Sequence, residues 1–470
     1  MSNFHFVLLI IPHLILVLFT GLLLIDGVLK HGINGRWSRI VAEWFTPFIV
    51  WVLFGVGSII NIIWSKTGYQ VYSIDFSIST VIIMSWIMFI GGICYLFGYR
   101  MLDKNINVRH DRKLSLPRVK VLAILIILFD WSLRFAKIIN GIYFIWFAKR
   151  NIETNSIRLN PLFQIQSFIT YILIPILIYL AKNTKRNIFY WWVLFIHLFL
   201  IFLEGNRSGL LFSLLIFIIS ILATYKLKLT KGKWVFIFIV LVVFFFVISP
   251  IVQEARYLMK RNIASLKENP FYSLYLYFFR FMAQGISNVD LSNFFSIEQR
   301  SSLFHRLGSY LGYSSSIYQS MRDGYPPQGL KNFSKSLLIL IPRLFYPEKP
   351  IIDADAQVFE HFQIGREGLD AAGTYPADIF SYLHVFGVIF LFFIGGVLVA
   401  LTYNYLKANF SDFGEVVFLG LIPQLMITGD IYVAYFHNFR NIFIFLILLN
   451  FFFNTYLAKR KFGENSVAGG

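Results

Sequence analysis

Residues 378–406 read DIFSYLHVFGVIFLFFIGGVLVALTYNYL, an almost unbroken apolar run that begins at an aspartate. A helix needs about 20 predominantly apolar residues to cross the hydrocarbon core of a bilayer. The run exceeds that length, and after Asp378 it contains no lysine, arginine, aspartate or glutamate. It therefore predicts a membrane-spanning helix that begins near Asp378.

Similar apolar runs recur along the chain. We predict about 11 spanning segments on this length criterion, at residues 4–26, 43–64, 79–99, 119–147, 161–181, 187–203, 209–225, 234–250, 378–406, 414–429 and 440–457. The composition agrees, since 57% hydrophobic and 14% charged residues are unusual in a soluble protein. Continuous runs also exclude a β-barrel, whose strands alternate apolar and polar residues. The predicted fold class is all-α, a polytopic transmembrane helical bundle.

One long polar stretch interrupts this pattern. Its densest part, residues 337–378, reads LLILIPRLFYPEKPIIDADAQVFEHFQIGREGLDAAGTYPAD. We therefore divide the chain into spanning helices 1–8 (1–250), a large extracytoplasmic loop (251–377), and helices 9–11 with a cytoplasmic tail (378–470). Within the loop, residues 271–283 and 333–347 are apolar but too short to span. Both are expected to be interfacial helices that fold the loop onto the bundle.

The short connectors predict the orientation in the membrane. Basic residues concentrate at 30–39, 100–120, 182–186, 225–233 and 458–461, and the positive-inside rule places such connectors in the cytoplasm. The N-terminus is then outside and the C-terminus cytoplasmic. Because the first run lacks a basic leader and a small-residue cleavage site, we interpret it as a retained helix rather than a signal peptide.

The distribution of charge indicates an anionic partner on the outer side. The formal net charge is +18, and positive-inside topology explains part of that excess. Roughly 13 of the 42 lysines and arginines nevertheless lie in the loop 251–377, where the rule predicts few. The single cysteine, Cys94, excludes an intramolecular disulfide and a metal site built from several cysteines.

Some titratable residues fall inside apolar runs, where burial of charge is costly. Asp130 and Arg134 are four residues apart and would share one helix face. We interpret them as a self-neutralising pair that supports packing, with substrate contact as the alternative. His197 lies alone in an aromatic run, and we expect a packed or hydrogen-bonded core histidine.

Several basic residues on the predicted outer side are flanked by glycines or prolines, which restrict or direct the local backbone. Arg207 lies within EGNRSG, Arg343 between two prolines and Arg366 between two glycines. A guanidinium held in this way suits a phosphate, although each residue could also be an ordinary solvated surface group. The predicted substrate-binding residues are Arg207, His305, Arg306, Arg343, Lys349, Arg366 and Arg440.

The candidates for a general base are Asp378, Glu360, His361, Glu367, His384 and His437, of which we favour Asp378 and His437. Asp378 begins the helix after the loop, and His437 lies close to Arg440 at the predicted outer start of the last helix. A base beside a basic group would suit proton abstraction next to a phosphate. The alternative for Asp378 is simple interaction with the helix dipole. Asp353 and Asp355 form a DxD, but two carboxylates alone make a poor metal site, so we predict no metal.

The sequence resembles the Wzy-type polysaccharide repeat-unit polymerases of bacterial surface polymers, which are related to O-antigen ligases and are GT-C-like. The resemblance rests on GNRSGLL after a helix, IPRLFYPEKP within one large outer loop, and TYPADIFSYLHVFGVIF after it. It covers most of the chain as architecture. Where many relatives carry glutamate near that helix start, this chain has Asp378.

The resemblance implies an inverting, metal-independent glycosyltransferase in the bacterial cytoplasmic membrane. Its substrates would be glycans linked to undecaprenyl diphosphate on the outer leaflet, where arginines would hold the diphosphate and Asp378 or His437 would act as the base. No cofactor and no nucleic-acid partner are implied. Membrane lipids and a chain-length-regulating co-polymerase are the other partners that the family implies.

Two other functions remain open at this point. An O-antigen ligase would use the same donor with a different acceptor, so the outer arginines and His437 would serve it equally well. A lipid-linked glycan transporter or flippase would need no chemistry, but it would be expected to carry more charge inside the membrane.

Overall fold

The computed structural model describes residues 3–27, 78–102, 116–139, 161–185, 187–203, 207–227, 315–338, 375–425 and 438–467, with isolated residues between them. The regular structure in these ranges is entirely helical. The helices are α1 (Asn3–Gly27), α2 (Ile78–Met101), α3 (Leu116–Ile139), α4 (Pro161–Asn183), α5 (Asn187–Leu203), α6 (Arg207–Thr224), α7 (Gly329–Leu337), α8 (Tyr375–Leu425) and α9 (Asn438–Val467). The predicted all-α class is confirmed for the described ranges.

In the part of the chain that the structure describes, three helices are long and apolar enough to cross a membrane, namely Val7–Gly27, Ser79–Met101 and Asp378–Leu425. Shorter apolar helices lie at Phe168–Asn183, Asn187–Phe202, Gly209–Thr224 and Asn438–Phe453. These are the helices of a membrane protein, as predicted. The predicted spans 43–64 and 234–250 and the predicted interfacial helix 271–283 lie outside the described residues, apart from isolated helical positions.

The second predicted interfacial helix differs from what the structure contains. We expected residues 333–347, whereas α7 begins at Gly329 and ends at Leu337. Pro326 and Pro327 lie in the turn before α7, separated from it by Gln328, and prolines are common near helix starts. The apolar content of the segment drew the prediction four residues too far along the chain.

Helix α8 contains a reversal that separates two predicted spans. Ser411 has non-helical backbone angles, with φ 51° and ψ −132°. The Tyr403 hydroxyl donates to Glu415 Oε1 at 3.2 Å, although residues 12 apart in a straight helix are separated by about 18 Å. The chain therefore turns back near Ser411, between the segments 378–406 and 414–429 that we predicted separately.

Helix α8 occupies the centre of the bundle because glycines allow its backbone to approach its neighbours. A Cβ at Gly396 would collide with the Tyr95 carbonyl oxygen on α2, and one at Gly98 would collide with Phe393 on α8. After the reversal, Gly420 lies in the same way against Ile172 on α4. Small residues at such crossings let membrane helices pack backbone to backbone.

Contacts between helix ends show which ends lie together. Lys182 Nζ donates to Thr224 O, which joins the ends of α4 and α6. Asn404 Nδ2 donates to Leu102 O at 2.9 Å, which places the end of α2 beside the latter part of α8. Arg118 Nη1 donates to Phe453 O at 3.3 Å, which joins the start of α3 to the latter part of α9.

We call this end of the bundle the basic end. Trp37 Nε1 donates to Leu227 O at 3.1 Å and Lys226 Nζ lies 3.9 Å from Asp412 Oδ2, so the chain after α1 and the reversal in α8 belong to it as well. Its described basic residues are Arg100, Arg118, Lys120, Lys182, Lys185, Lys226 and Lys407. The positive-inside rule predicts that it faces the cytoplasm.

The opposite end is where α2, α4, α6, α8 and α9 begin, since these helices run toward the basic end. Helices α3 and α5 run the other way and finish there. The first residues of α6 and α9, which include the predicted site residues Arg207 and Arg440, therefore lie at the same end of the bundle as Asp378.

We expect Gly396→Leu to lower the thermal stability of the protein strongly. A leucine must push apart the α2 and α8 backbones, and overpacking of this kind costs about 1–3 kcal/mol or more. Gly21→Leu on α1 is the matched control, since a Cβ there meets nothing within 4 Å. Fluorescence-detected size exclusion of detergent-solubilised protein after heating measures both. Equal melting temperatures for the two variants would contradict the proposed close approach.

Candidate functional site

Asp378 lies in the first turn of α8, as the sequence predicts. Helix α8 begins at Tyr375, and Pro376 occupies its start, where a missing backbone N–H costs nothing. A carboxylate in the first turn interacts favourably with the positive end of the helix dipole. The Asp378 side chain has 0% exposure, so this acid is held inside the protein rather than at its surface.

Part of the long polar stretch packs on the turn of α8 that follows Asp378. Residues 315–338, which we call the cap segment, comprise a helical stretch at 315–322, a turn at 323–328 and α7. The Gln328 backbone N–H donates to Ser381 O at 2.9 Å. The ring of Tyr318 packs 6.0 Å from that of Phe380, and Phe333 packs 6.1 Å from Tyr382. The cap segment is therefore fastened to the first turns of α8.

A second part of the polar region joins the cap segment. Ser320 Oγ donates to Phe362 O at 3.1 Å, and His361 Nε2 donates to Pro326 O at 2.7 Å. The side chains of Val358 and Phe362 are buried. Residues within the dense stretch 337–378 are thus joined to the cap segment that precedes it.

The start of α8 is separated from the rest of the helix by a backbone break. His384 has φ 57° and ψ −151°, a conformation that residues other than glycine adopt only at a cost of about 1–3 kcal/mol. Its ring stacks 4.8 Å from Phe380 and 6.3 Å from Tyr318. The segment before the break contacts the cap segment, whereas Gly396 beyond it packs on α2. The turn that bears Asp378 therefore lies on the side of the break that contacts the cap segment.

Two of the predicted basic residues are described. Arg440 lies in the first turn of α9, is half-buried, and donates from Nε and Nη2 to Asn441 Oδ1 at 3.2 and 3.1 Å. The asparagine was not anticipated, although its position directly after the arginine is visible in HNFRN. Arg207 opens α6. Both residues share the opposite end of the bundle with Asp378.

The other predicted site residues lie outside the described part of the chain. These are His305, Arg306, Arg343, Lys349, Arg366 and His437, together with the DxD residues Asp353 and Asp355. Their roles stay predictions. Among the residues that the structure describes, no group of three or more histidine, cysteine, aspartate or glutamate side chains could hold a metal ion.

A second polar cluster lies in the interior of the bundle. Arg134 Nε donates to Asp130 Oδ2 at 2.7 Å, and the two side chains have exposures of 1% and 0%. The predicted i, i+4 pair is confirmed. Thr170 on α4 joins it, since its hydroxyl lies 2.7 Å from Asp130 Oδ1 and accepts from Arg134 Nη2 at 2.9 Å.

Helix α5 and a second α4 residue complete this cluster. His197 Nε2 donates to Thr170 O at 2.9 Å, and its Nδ1 lies 3.5 Å from Asp130 Oδ2. Gln166 Nε2 donates to Asp130 O at 3.3 Å. The hydrogen-bonded core histidine that we predicted is confirmed. The sequence signal that we missed was Gln166 and Thr170, two polar residues four apart in an otherwise apolar run.

The interior cluster acts as a connection between helices. Its carboxylate and guanidinium satisfy each other, and its remaining bonds go to α4 and α5. Ionic groups that are paired in this way hold helices in register at a large desolvation cost. We therefore assign the cluster to the scaffold and Asp378 to the candidate site.

Comparison with known proteins adds no relative. The chain matches no protein-family model, no curated protein and no solved structure.

We expect Asp130→Leu to destabilise the protein by about 3–5 kcal/mol, because it leaves the Arg134 guanidinium buried without its carboxylate. The double substitution Asp130→Leu/Arg134→Leu removes both charges and should recover much of that loss. Asp412→Asn, which breaks an exposed pair with Lys226, is the control and should change little. Thermal unfolding in detergent measures all three. A double variant no more stable than Asp130→Leu would contradict the pairing.

Proposed function

We propose that the protein is a glycosyltransferase that polymerises oligosaccharide repeat units linked to undecaprenyl diphosphate, at the outer face of the bacterial cytoplasmic membrane. The observation that carries this proposal is the burial of Asp378 in the first turn of α8, directly before the residues on which the cap segment packs. Arg207 and Arg440 begin helices at the same end of the bundle. An acid and two cations gathered at one end supply what this reaction needs.

In the proposed reaction, a hydroxyl oxygen of the acceptor sugar forms a bond to the anomeric carbon of the donor glycan. The bond between that carbon and the diphosphate oxygen breaks, and its electron pair leaves with the lipid diphosphate. The hydroxyl proton passes to the general base, for which Asp378 and His437 are the candidates. A base within hydrogen-bond reach of the attacking hydroxyl typically contributes about 10²–10⁴ in rate.

The leaving diphosphate gains negative charge as the bond breaks. Guanidinium groups stabilise that charge with charge-assisted, bidentate hydrogen bonds. Arg440 is suited to this role because its bonds to Asn441 hold the guanidinium in one orientation before a ligand arrives. The remaining positive charge would come from Arg207 on α6 and from three arginines of the predicted loop, Arg306, Arg343 and Arg366.

The location at helix ends suits a lipid-linked substrate. The isoprenoid chain would lie in the hydrocarbon layer beside the bundle, while the diphosphate would stay at the depth of the lipid headgroups. The first turns of α6, α8 and α9 come at the boundary of apolar segments and therefore at that depth. Arginines at this level can reach phosphate without being drawn into the hydrocarbon.

A transporter of lipid-linked glycans is the second candidate. It is favoured by the buried Asp130–Arg134 pair together with the break at His384 within an apolar helix, since transporters often combine interior charge with discontinuous helices. The two candidates differ in their products. Polymer formation by the purified protein in detergent, with no second compartment, would exclude transport as the sole activity.

We expect Asp378→Asn to lower the rate of polymer formation by about 10²–10⁴, because the amide cannot accept the hydroxyl proton. Arg440→Ala should lower it by about 10²–10³, the usual effect of removing one group that stabilises developing charge. The substrate is the lipid-linked glycan pool extracted from a strain lacking the protein. Gel separation of the products measures chain length.

Two variants at the basic end serve as controls for these substitutions. Asp412→Asn and Arg100→Ala change the same kinds of residue on exposed surface, so they should polymerise at the wild-type rate. Wild-type chain growth by Asp378→Asn would exclude Asp378 as the base, and the assignment would then pass to His437 only if His437→Ala is inactive.

A further inference from the structure

Gln328 is a buried polar residue of the cap segment with an unused donor. It lies between Pro327 and Gly329, where the turn meets α7, and its side chain is 8% exposed. Within the described part of the chain, its carboxamide nitrogen Nε2 is buried and has no hydrogen-bond partner. Buried amide groups are almost always bonded, so a donor of this kind indicates a ligand or a strained site.

A second glutamine in the same segment provides a comparison. Gln319 Oε1 accepts from Thr80 Oγ1 at 3.1 Å, and Gln319 Nε2 donates to Asp323 Oδ1 at 3.1 Å. Both ends of that carboxamide are therefore used within the protein. The two glutamines of the cap segment thus differ, since only the carboxamide of Gln328 keeps an unused donor.

Gln328 lies against the turn of α8 that carries Asp378. Its backbone N–H donates to Ser381 O at 2.9 Å, and Ser381 Oγ donates to Asp378 O at 2.6 Å. Residues three apart on a helix are neighbours, with about 5–6 Å between their Cβ atoms. The backbone of Gln328 is thus bonded one helical turn from Asp378, and both residues are buried.

We propose that Gln328 binds the acceptor sugar, with its Nε2–H donating to the same hydroxyl that Asp378 deprotonates. This inference rests on the proposed function. A hydroxyl has one hydrogen to donate and two lone pairs to accept with. A carboxylate and an amide N–H side by side complement both properties, so they would hold the hydroxyl and aim its lone pair at the donor sugar. Gln328 takes up no proton and forms no covalent bond.

A glutamine that binds a ligand and a glutamine that supports the fold differ in how their removal changes the melting temperature. Gln328→Leu removes no hydrogen bond within the described protein, so its melting temperature should stay within about 1 °C of the wild type or rise. Gln319→Leu is the matched control in the same segment. It removes two hydrogen bonds, and its melting temperature should fall by about 2–4 °C.

The same variants are then assayed with lipid-linked glycans extracted from the strain that lacks the protein. Gln328→Leu should lower the rate of polymer formation about tenfold at limiting substrate, the effect of one lost neutral hydrogen bond. Gln328→Glu should be at least as impaired, because an ionised carboxylate accepts hydrogen bonds but donates none.

Three results would overturn the inference. A melting temperature of Gln328→Leu that falls as far as that of Gln319→Leu would mean that the carboxamide is bonded inside the protein. Wild-type polymer formation by Gln328→Leu alongside an inactive Asp378→Asn would reject Gln328 while leaving the proposed function intact. If Asp378→Asn and Gln328→Leu both match the wild type, the site assignment fails together with the inference.

Discussion

The close approach of α2 and α8 at Gly98 and Gly396 is the constraint on which the rest of the bundle depends. In a membrane, lipid is as apolar as the helix surfaces, so helices associate through tight packing and polar contacts rather than through hydrophobic burial. Backbone contact at these glycines holds α8 at the centre, and Gly420 brings its returning segment onto α4. Asp378 lies before the break at His384, so the position of the candidate base depends on the cap segment as well as on this packing.

The polar groups of the protein are divided between two places with different physical roles. In the interior, an ion pair and hydrogen bonds join Asp130, Arg134, Thr170 and His197 across three helices, which makes the cluster a connection within the scaffold. At the end of the bundle opposite the basic end, Asp378 is covered by the cap segment, and Gln328 keeps a buried donor that the described protein does not use. A buried acid and a buried amide donor near one end are consistent with the proposal that the ligand arrives from the membrane surface.

The positions of helices that depend on the length and composition of apolar runs could be predicted from the sequence. The helix at 187–203 was predicted with its observed bounds, and α8 begins three residues before the predicted start. The Asp130–Arg134 pair followed from helical spacing alone. The roles of Thr170 and Gln166 could not be predicted, because they depend on which helix packs beside α3. The break at His384 was missed for a related reason, since a histidine within an apolar run carries no local signal for a backbone conformation that tertiary packing imposes. The bounds of α7 were wrong because the apolar residues after Leu337 outweighed the turn residues before Gly329.

We propose that the chemistry takes place where α6, α8 and α9 begin, beside the cap segment. The basic end would then serve only to orient the protein in the membrane. The most direct measurement is a structure of the protein in lipid with an undecaprenyl-diphosphate-linked glycan bound. We predict that its diphosphate lies within hydrogen-bond distance of Arg440 and that a glycan bound as acceptor places a hydroxyl beside Asp378 and Gln328. A diphosphate bound at the basic end, among residues such as Lys182 and Lys226, would contradict the account.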